Sequence, residues 1–271
     1  MSHDIDYAAL LDGVEKIAER AGKAVNEVYE RADAEVSYKD DKSPLTAADL
    51  ASHKEIKAGL DELAPEIPTL SEEGKAMGYE ERRSWHRFWL VDPLDGTKEF
   101  IKRNGEFTVN VALVEDGVPV LGVVHASTLG RTYGATRDGG AWRRDGDGER
   151  RPIRASGTSG DSLVIVASRS HAGPELTAFL GAMPEHSLSS MGSSLKLCLV
   201  AEGAADVYPR IGLTMEWDTG AAHAVVLGAG GEVLDLEGKP LMYNKENLLN
   251  PYFIVLGERS VPWREALKAS R

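Results

Sequence analysis

Trp89-Leu90-Val91-Asp92-Pro93-Leu94-Asp95-Gly96-Thr97 is the stretch on which the reading of this chain turns. The apolar run from Phe88 to Val91 predicts a strand buried on both faces. The strand is expected to stop at Asp92-Pro93 and deliver two carboxylates, Asp92 and Asp95, to its C-terminal end. Pro93 and Gly96 bend the backbone so that both acids can converge. Such a pair is costly unless a proton or a cation compensates it. Carboxylate and carbonyl oxygens suit Mg²⁺ or Mn²⁺. The plainer alternative is a loop of solvated acids that caps a helix from Gly96 to Arg103.

Upstream, apolar residues from Leu10 to Val28 recur at helical spacing and predict a long amphipathic helix. A strand is expected over Ala34 to Tyr38, a loop over Asp40 to Pro44, and a helix from Thr46 to Leu63 with Thr46 as its cap. A short strand, Ile67 to Leu70, leads into Ser71-Glu72-Glu73-Gly74. Downstream, strands are expected at Val109–Val114, Val118–Val124, Arg131–Ala135 and Gly140–Arg143. Helices followed by successive strands make an α+β first half.

Near Ala155 to Gly160 the composition turns to Ser, Gly and Thr, which places a boundary between units 1–155 and 156–271. Beyond it, strands and helices alternate in α/β fashion. Strands are expected at Leu163–Ala167, Ser187–Ser190, Ala205–Tyr208, Glu232–Leu234 and Phe253–Leu256. Helices are expected at Pro174–Leu180, Ser193–Ala201, Glu216–Ala229 and Val261–Ser270. In that half Trp217-Asp218 opens a helix rich in small residues, and Asp218 is either a further cation ligand or simply a cap.

Composition limits the possible functions. The 271 residues include 43 acidic and 31 basic side chains, for a net charge of −12. That balance argues against a nucleic-acid polymer or an anionic membrane as partner. It leaves room for a small anionic ligand held through a cation. The one cysteine, Cys198, lies in an apolar run and reads as core. The start carries no signal-peptide pattern, and no stretch approaches the roughly 18 apolar residues of a membrane span. A cytoplasmic protein is expected, with peripheral association at the inner membrane face left open. No partner protein is indicated.

Ser71-Glu72-Glu73, Asp92-Pro93-Leu94-Asp95-Gly96-Thr97 and Trp217-Asp218 together resemble the signatures of the inositol monophosphatase superfamily of metal-dependent, lithium-sensitive phosphatases. The likeness runs from the first helix to about Leu256. It implies a layered α/β/α/β/α sandwich of the inositol monophosphatase and fructose-1,6-bisphosphatase type. Lys98-Glu99-Phe100, Asn104 to Asn110, Ser168 to His171, Gly192 to Lys196 and Tyr208-Pro209-Arg210 resemble the branch that acts on 3'-phosphoadenosine 5'-phosphate.

The resemblance implies a site. Glu72, Asp92, the Leu94 carbonyl, Asp95 and Asp218 would hold two or three Mg²⁺ ions, with Asp92 bridging two of them. Mn²⁺ would substitute and Li⁺ would inhibit. Thr97 would hydrogen-bond the attacking water, and Asp49 would accept from the Thr97 hydroxyl. The backbone N–H groups of Gly96 and Thr97 would meet phosphate oxygens. Lys196 and Arg210 would take the 5'-phosphate, Arg210 standing where inositol monophosphatases carry an acid. Ser193, expected on the same helix face as Lys196, would assist, and His171 would lie near the ribose or adenine. Glu73 and His223 receive no role.

The implied reaction removes the 3'-phosphate to give AMP, as part of sulfur metabolism, with 3'-phosphoadenylyl sulfate as a further substrate. The enzyme alternative is an inositol-phosphate or fructose-bisphosphate phosphatase on the same scaffold. The alternative of another class is a catalytically silent nucleotide-binding protein.

Overall fold

The computed structural model describes residues 6–31, 36–38, 44–158, 162–167 and 173–270. The first helix, α1, spans Tyr7–Tyr29 and is capped by the Asp6 carboxylate, which accepts from the Ala9 N–H at 3.0 Å. Its buried stripe of Leu11, Val14, Ile17, Ala18, Ala21, Val25 and Val28 follows the helical repeat. Strands β1 (Val36–Tyr38) and β2 (Pro44–Thr46) pair antiparallel. The expected loop therefore ends before Pro44, which stands in an extended pair. Thr46 caps α2 (Ala47–Leu63) as expected.

Seven strands form the larger sheet: β3 (Thr69–Ser71), β4 (Arg87–Asp95), β5 (Thr108–Glu115), β6 (Val118–Ala126), β7 (Arg131–Thr136), β8 (Gly140–Asp145) and β9 (Arg151–Ile153). They lie in sequence order, with β3 parallel to β4 and every other pair antiparallel. Two short helices interrupt them, α3 (Tyr79–Arg82) and α4 (Thr97–Ile101). The side-chain alternation of a strand sorts residues to two layers. On β4, Trp89 and Val91 meet α1 and α2, whereas Phe88 and Leu90 face the opposite way.

The smaller sheet has the order β11-β10-β12-β14-β13, from β10 (Leu163–Ala167), β11 (His186–Ser190), β12 (Val207–Arg210), β13 (Glu232–Asp235) and β14 (Phe253–Leu256). Its first three strands are parallel, and β12, β14 and β13 are antiparallel neighbours. Helices α5 (Pro174–Ala182) and α8 (Trp263–Ala269) cover its outer face through Leu176, Phe179 and Trp263. Between the sheets lie α6 (Leu195–Ala201) and α7 (Glu216–Gly228), joined to both sheets by one core that contains Cys198. The result is the expected α/β/α/β/α layering.

Two features fix how the middle layer sits. At Gly122 of β6 an added Cβ would fall 2.2 Å from the Ala221 carbonyl, so the missing side chain lets α7 lie directly on the sheet. That contact fixes the height of the α7 N-terminus above β4. The second feature departs from expectation. β4 does not stop at Asp92-Pro93 but continues to Asp95 through a register shift, with Asp92 opposite Asn110 and Asp95 opposite Thr108. The irregularity relieves Pro93 of the ladder N–H it cannot supply. Ser52 of α2, fully buried, donates to the Pro93 carbonyl at 2.7 Å and pins the bend.

Candidate metal and phosphate site

Glu72 follows β3, and its N–H donates to the Val91 carbonyl at 3.1 Å, which sets it beside Asp92. Asp92 is 1% exposed, and its Oδ1 accepts the Leu94 N–H at 3.0 Å. Asp218 stands in the first turn of α7, where its Oδ2 accepts the Met215 N–H at 2.9 Å. Glu72, Asp92 and Asp218 each bring a carboxylate oxygen within 4.8 Å of the other two. Three segments distant in sequence thus meet at one point.

Burial pushes the Asp92 carboxyl well above the usual carboxylate range, and Glu72, Asp95 and Asp218 push it further by repulsion. Asp218 is raised in the same way, by burial first and then by Asp95 and Glu72. Asp95 is raised to about 6 by burial, against the opposing charge of Lys196 and the Ser194 N–H. An all-oxygen donor set whose own charges repel is one that a hard divalent cation satisfies. The residues present fit a metal centre.

Asp95 is not a member of that close trio. Its Oδ2 accepts the Ser194 N–H at 2.5 Å and Asn110 Nδ2 at 3.4 Å. Gly96 follows with φ of 97°, and a Cβ there would press on the Glu106 carbonyl at 3.2 Å and Phe107 Cα at 3.3 Å. Glycine is thus required where the chain turns from the ligand segment into α4. Leu94 is 2% exposed, and its carbonyl accepts the Thr97 hydroxyl at 3.4 Å.

The expected link from Thr97 to Asp49 is not formed among the described residues. Asp49 Oδ2 is taken by the Thr46 hydroxyl at 2.6 Å and the Thr46 N–H at 2.7 Å, a reciprocal cap of α2. Burial still raises its carboxyl, and Glu72 adds to that shift. Asp49 therefore lies near the acidic cluster but is held by its own helix cap.

Lys196 and Arg210 line one cavity of about 130 Å³ together with Asp95, Gly96, Tyr208 and Asp218. The two cations expected to share a cleft do so. Lys196 is 7% exposed, and its Nζ donates to the carbonyls of Ser193 at 2.7 Å and Met191 at 3.2 Å. Burial lowers its ammonium to about 8, aided by Arg210 and opposed by Asp95. Arg210 Nη2 donates to the Leu213 carbonyl at 2.7 Å, while its Nε is buried without a protein partner.

Ser193 requires a correction. It precedes α6, in a left-handed conformation with φ of 47°, and Ser194 is the N-cap. Its carbonyl, not its hydroxyl, meets Lys196. The helix begins two residues later than expected because the chain must turn sharply to place the Ser194 N–H on Asp95. His171 lies outside the described residues.

Sequence reasoning passed over Glu216. This carboxylate is fully buried and accepts the N–H groups of Asn244 at 2.7 Å and Lys245 at 3.0 Å, and Lys245 Nζ at 2.5 Å. It ties residues 244–245 to the helix start that carries Asp218. Its place two residues before Asp218 was the available signal. Thr108, Asn110 and Ser194 were also missed as a group, although the first two alternate on a strand. His223 is buried, bonded through Nδ1 to the Tyr243 hydroxyl at 2.9 Å, and its imidazole is lowered to about 3 by burial.

The family model described as the inositol monophosphatase family matches residues 6–259, and the chain belongs to that family. A nearer relationship lies within it. The 3'(2'),5'-bisphosphate nucleotidase CysQ of Escherichia coli O157:H7 is 52% identical over 248 residues, covering 91% of this chain and 99% of the relative. The protein of that name from Haemophilus influenzae is 37% identical over 94% of this chain and 95% of its own length. The crystal structure of CysQ from Bacteroides thetaiotaomicron matches with a TM-score of 0.84 at 43% identity, over 95% of this chain and 100% of that one. An IMPase of Thermotoga maritima matches at 0.75 and 26%, over 96% of each chain. Among the described residues, no helix is long and apolar enough to cross a membrane.

Proposed function

We infer that this chain is a 3'(2'),5'-bisphosphate nucleotidase that hydrolyses the 3'-phosphate of 3'-phosphoadenosine 5'-phosphate to AMP and phosphate. The observation that carries the inference is the single cleft in which Lys196 and Arg210 face Asp95 and Asp218. A substrate with two phosphates needs a cationic end and an end where carboxylates could hold a metal, and these two cations and two carboxylates support that reading. The nucleotidases named CysQ, 52% identical to this chain in Escherichia coli O157:H7 and 37% in Haemophilus influenzae, support the same reading.

Glu72, Asp92, the Leu94 carbonyl, Asp95 and Asp218 would hold Mg²⁺ in two or three positions, with Mn²⁺ able to substitute. When bound, the metal supplies Lewis acidity toward a water and the phosphate oxygens. The chain's own groups do the rest. Thr97, against the Leu94 carbonyl, would orient the incoming water. Asp49 would act from its helix cap, keeping α2 against the site. The Gly96 and Thr97 N–H groups would meet phosphate oxygens. Arg210 and Lys196 would anchor the far phosphate, with Ser193 shaping the turn beside them and His171 contacting the ribose or base. Water oxygen bonds to phosphorus, the bond from phosphorus to the 3'-oxygen breaks, and that oxygen leaves with a proton.

The test is phosphate release from 3'-phosphoadenosine 5'-phosphate and from inositol 1-phosphate, side by side, with Mg²⁺ and with EDTA. Strong preference for the nucleotide, lost in EDTA and inhibited by Li⁺, is the expected outcome. Preference for inositol 1-phosphate would overturn the specificity. Release that persists in EDTA would overturn the metal site.

A further inference from the structure

Thr108 and Asn110 occupy alternate positions on β5, opposite Asp95 and Asp92 of β4. Both are buried, at 0% and 1% exposure, on the strand whose Ala112 and Val114 face the middle layer. Ser194, 2% exposed, approaches from the N-cap of α6. Its Oγ lies 2.9 Å from Thr108 Oγ1 and donates to Asn110 Oδ1 at 3.0 Å. Asn110 Nδ2 and the Ser194 N–H both donate to Asp95 Oδ2.

The protons in this group can be placed. Asn110 Oδ1 only accepts, so the Ser194 hydroxyl proton is committed to it. Thr108 must then donate to Ser194 Oγ. With its carbonyl oxygen so occupied, Asn110 turns its NH₂ toward Asp95. Every donor points one way, from Thr108 through Ser194 and Asn110 to the carboxylate. Buried chains of this kind strengthen bond by bond. Both final bonds fall on Oδ2, and among the described residues no hydrogen bond engages Oδ1.

We propose that Thr108, Ser194 and Asn110 are positioning residues that fix Asp95 with Oδ2 turned inward and Oδ1 presented to a cation. The proposal rests on the reading of Asp95 as a metal ligand. The same Ser194 turn carries the carbonyl that holds Lys196. Cation affinity and the anchor for the far phosphate thus depend on one backbone turn. Thr108 is the telling position because it lines neither the cleft nor the acidic trio.

Thr108→Val removes the hydroxyl at the head of the chain and nearly preserves the shape. The half-saturating Mg²⁺ concentration is expected to rise about tenfold, the scale of outer-shell changes at metal sites. At saturating Mg²⁺, kcat and the KM for 3'-phosphoadenosine 5'-phosphate should stay within about twofold. Mn²⁺ binding to the substrate-free protein, followed by electron paramagnetic resonance, should weaken by the same factor as Mg²⁺ activation. Thr108→Ser should restore it, and Ser194→Ala should weaken it at least as much as Thr108→Val. Melting in EDTA reports folding separately. Unchanged Mn²⁺ affinity in Thr108→Val and Ser194→Ala, with Asp95→Asn weakened, overturns the positioning role, whatever the melting temperatures show. Unchanged Mn²⁺ affinity in Asp95→Asn overturns the ligand reading beneath it.

Discussion

Asp92→Asn is expected to abolish turnover and yet raise the melting temperature of the metal-free protein. Both effects come from the same buried carboxyl. Asp92 brings a carboxylate oxygen within 4.8 Å of Glu72 and Asp218, where the proposed metal would bind. Exchanging the carboxylate for an amide removes a full ligand charge. A metal contributes several kcal/mol to the transition state, and each 1.36 kcal/mol is a factor of ten, so a loss of about 10³-fold is expected. Without metal the balance reverses. In the fold its carboxyl is buried and faces Glu72, Asp95 and Asp218, which together hold it well above the usual carboxylate range, so ionising it there costs stability. A carboxyl raised in the folded state stabilises only while protonated, and that contribution is lost as pH rises through the raised value. Near neutral pH the wild-type protein carries the penalty and the amide does not. The amide oxygen can still accept the Leu94 N–H. Each kcal/mol relieved raises Tm by about 2–4 °C in a chain of this size. The advantage should shrink on acidification, as Asp92 itself takes up a proton. Calorimetry in EDTA and phosphate release in saturating Mg²⁺ check the two halves. A lower Tm in EDTA would mean that the cluster is not strained, and near-parental turnover would remove Asp92 from the metal site.

The residues that form this site were legible to different degrees, for physical reasons. Asp92, Asp95 and Gly96 fall in one short segment, where a buried run meets two acids and a turn glycine. Local pattern suffices there. Asp218 needs its helix laid across the large sheet, and that depends on Gly122 accepting the Ala221 carbonyl, a contact between residues 99 apart. Pro93 reads as a strand end because proline normally forfeits a ladder bond. Ser52, 41 residues away, holds the bent strand in place instead. The Thr97–Asp49 link is not formed among the described residues, where the Thr97 hydroxyl meets the Leu94 carbonyl instead. Thr46 engages Asp49 Oδ2 in a cap within one helix turn, a local contact that sequence pattern shows more readily than a contact across 48 residues. Ser193 and Ser194 are indistinguishable as helix starts in sequence. Only the demand of Asp95 for a backbone N–H selects Ser194 as the cap. Glu216 shows the same limit, since its partners lie 28 and 29 residues along the chain.

Arg210→Gln is expected to lower kcat/KM for 3'-phosphoadenosine 5'-phosphate by about 10- to 100-fold while changing that for inositol 1-phosphate by no more than about threefold. A hydrogen bond to a charged group contributes about 1.5–3 kcal/mol, which converts to that range. Glutamine keeps a donor for the Leu213 carbonyl, which Arg210 Nη2 now meets at 2.7 Å. The loop should therefore hold its course, and what is lost is the charge and the spare Nε–H, buried without a protein partner. The loss should fall on KM, because the far phosphate binds equally in the ground and transition states. Arg210 also acts at a distance, since its charge lowers the proton affinity of Asp218. That effect touches every substrate alike and accounts for the small change allowed to inositol 1-phosphate. The ratio between the two substrates is thus the decisive reading. A ratio that shifts toward the inositol ester assigns Arg210 to the nucleotide's second phosphate. An equal loss for both would mean that Arg210 serves Asp218 alone, and the origin of nucleotide preference would move to Lys196 in the same cleft.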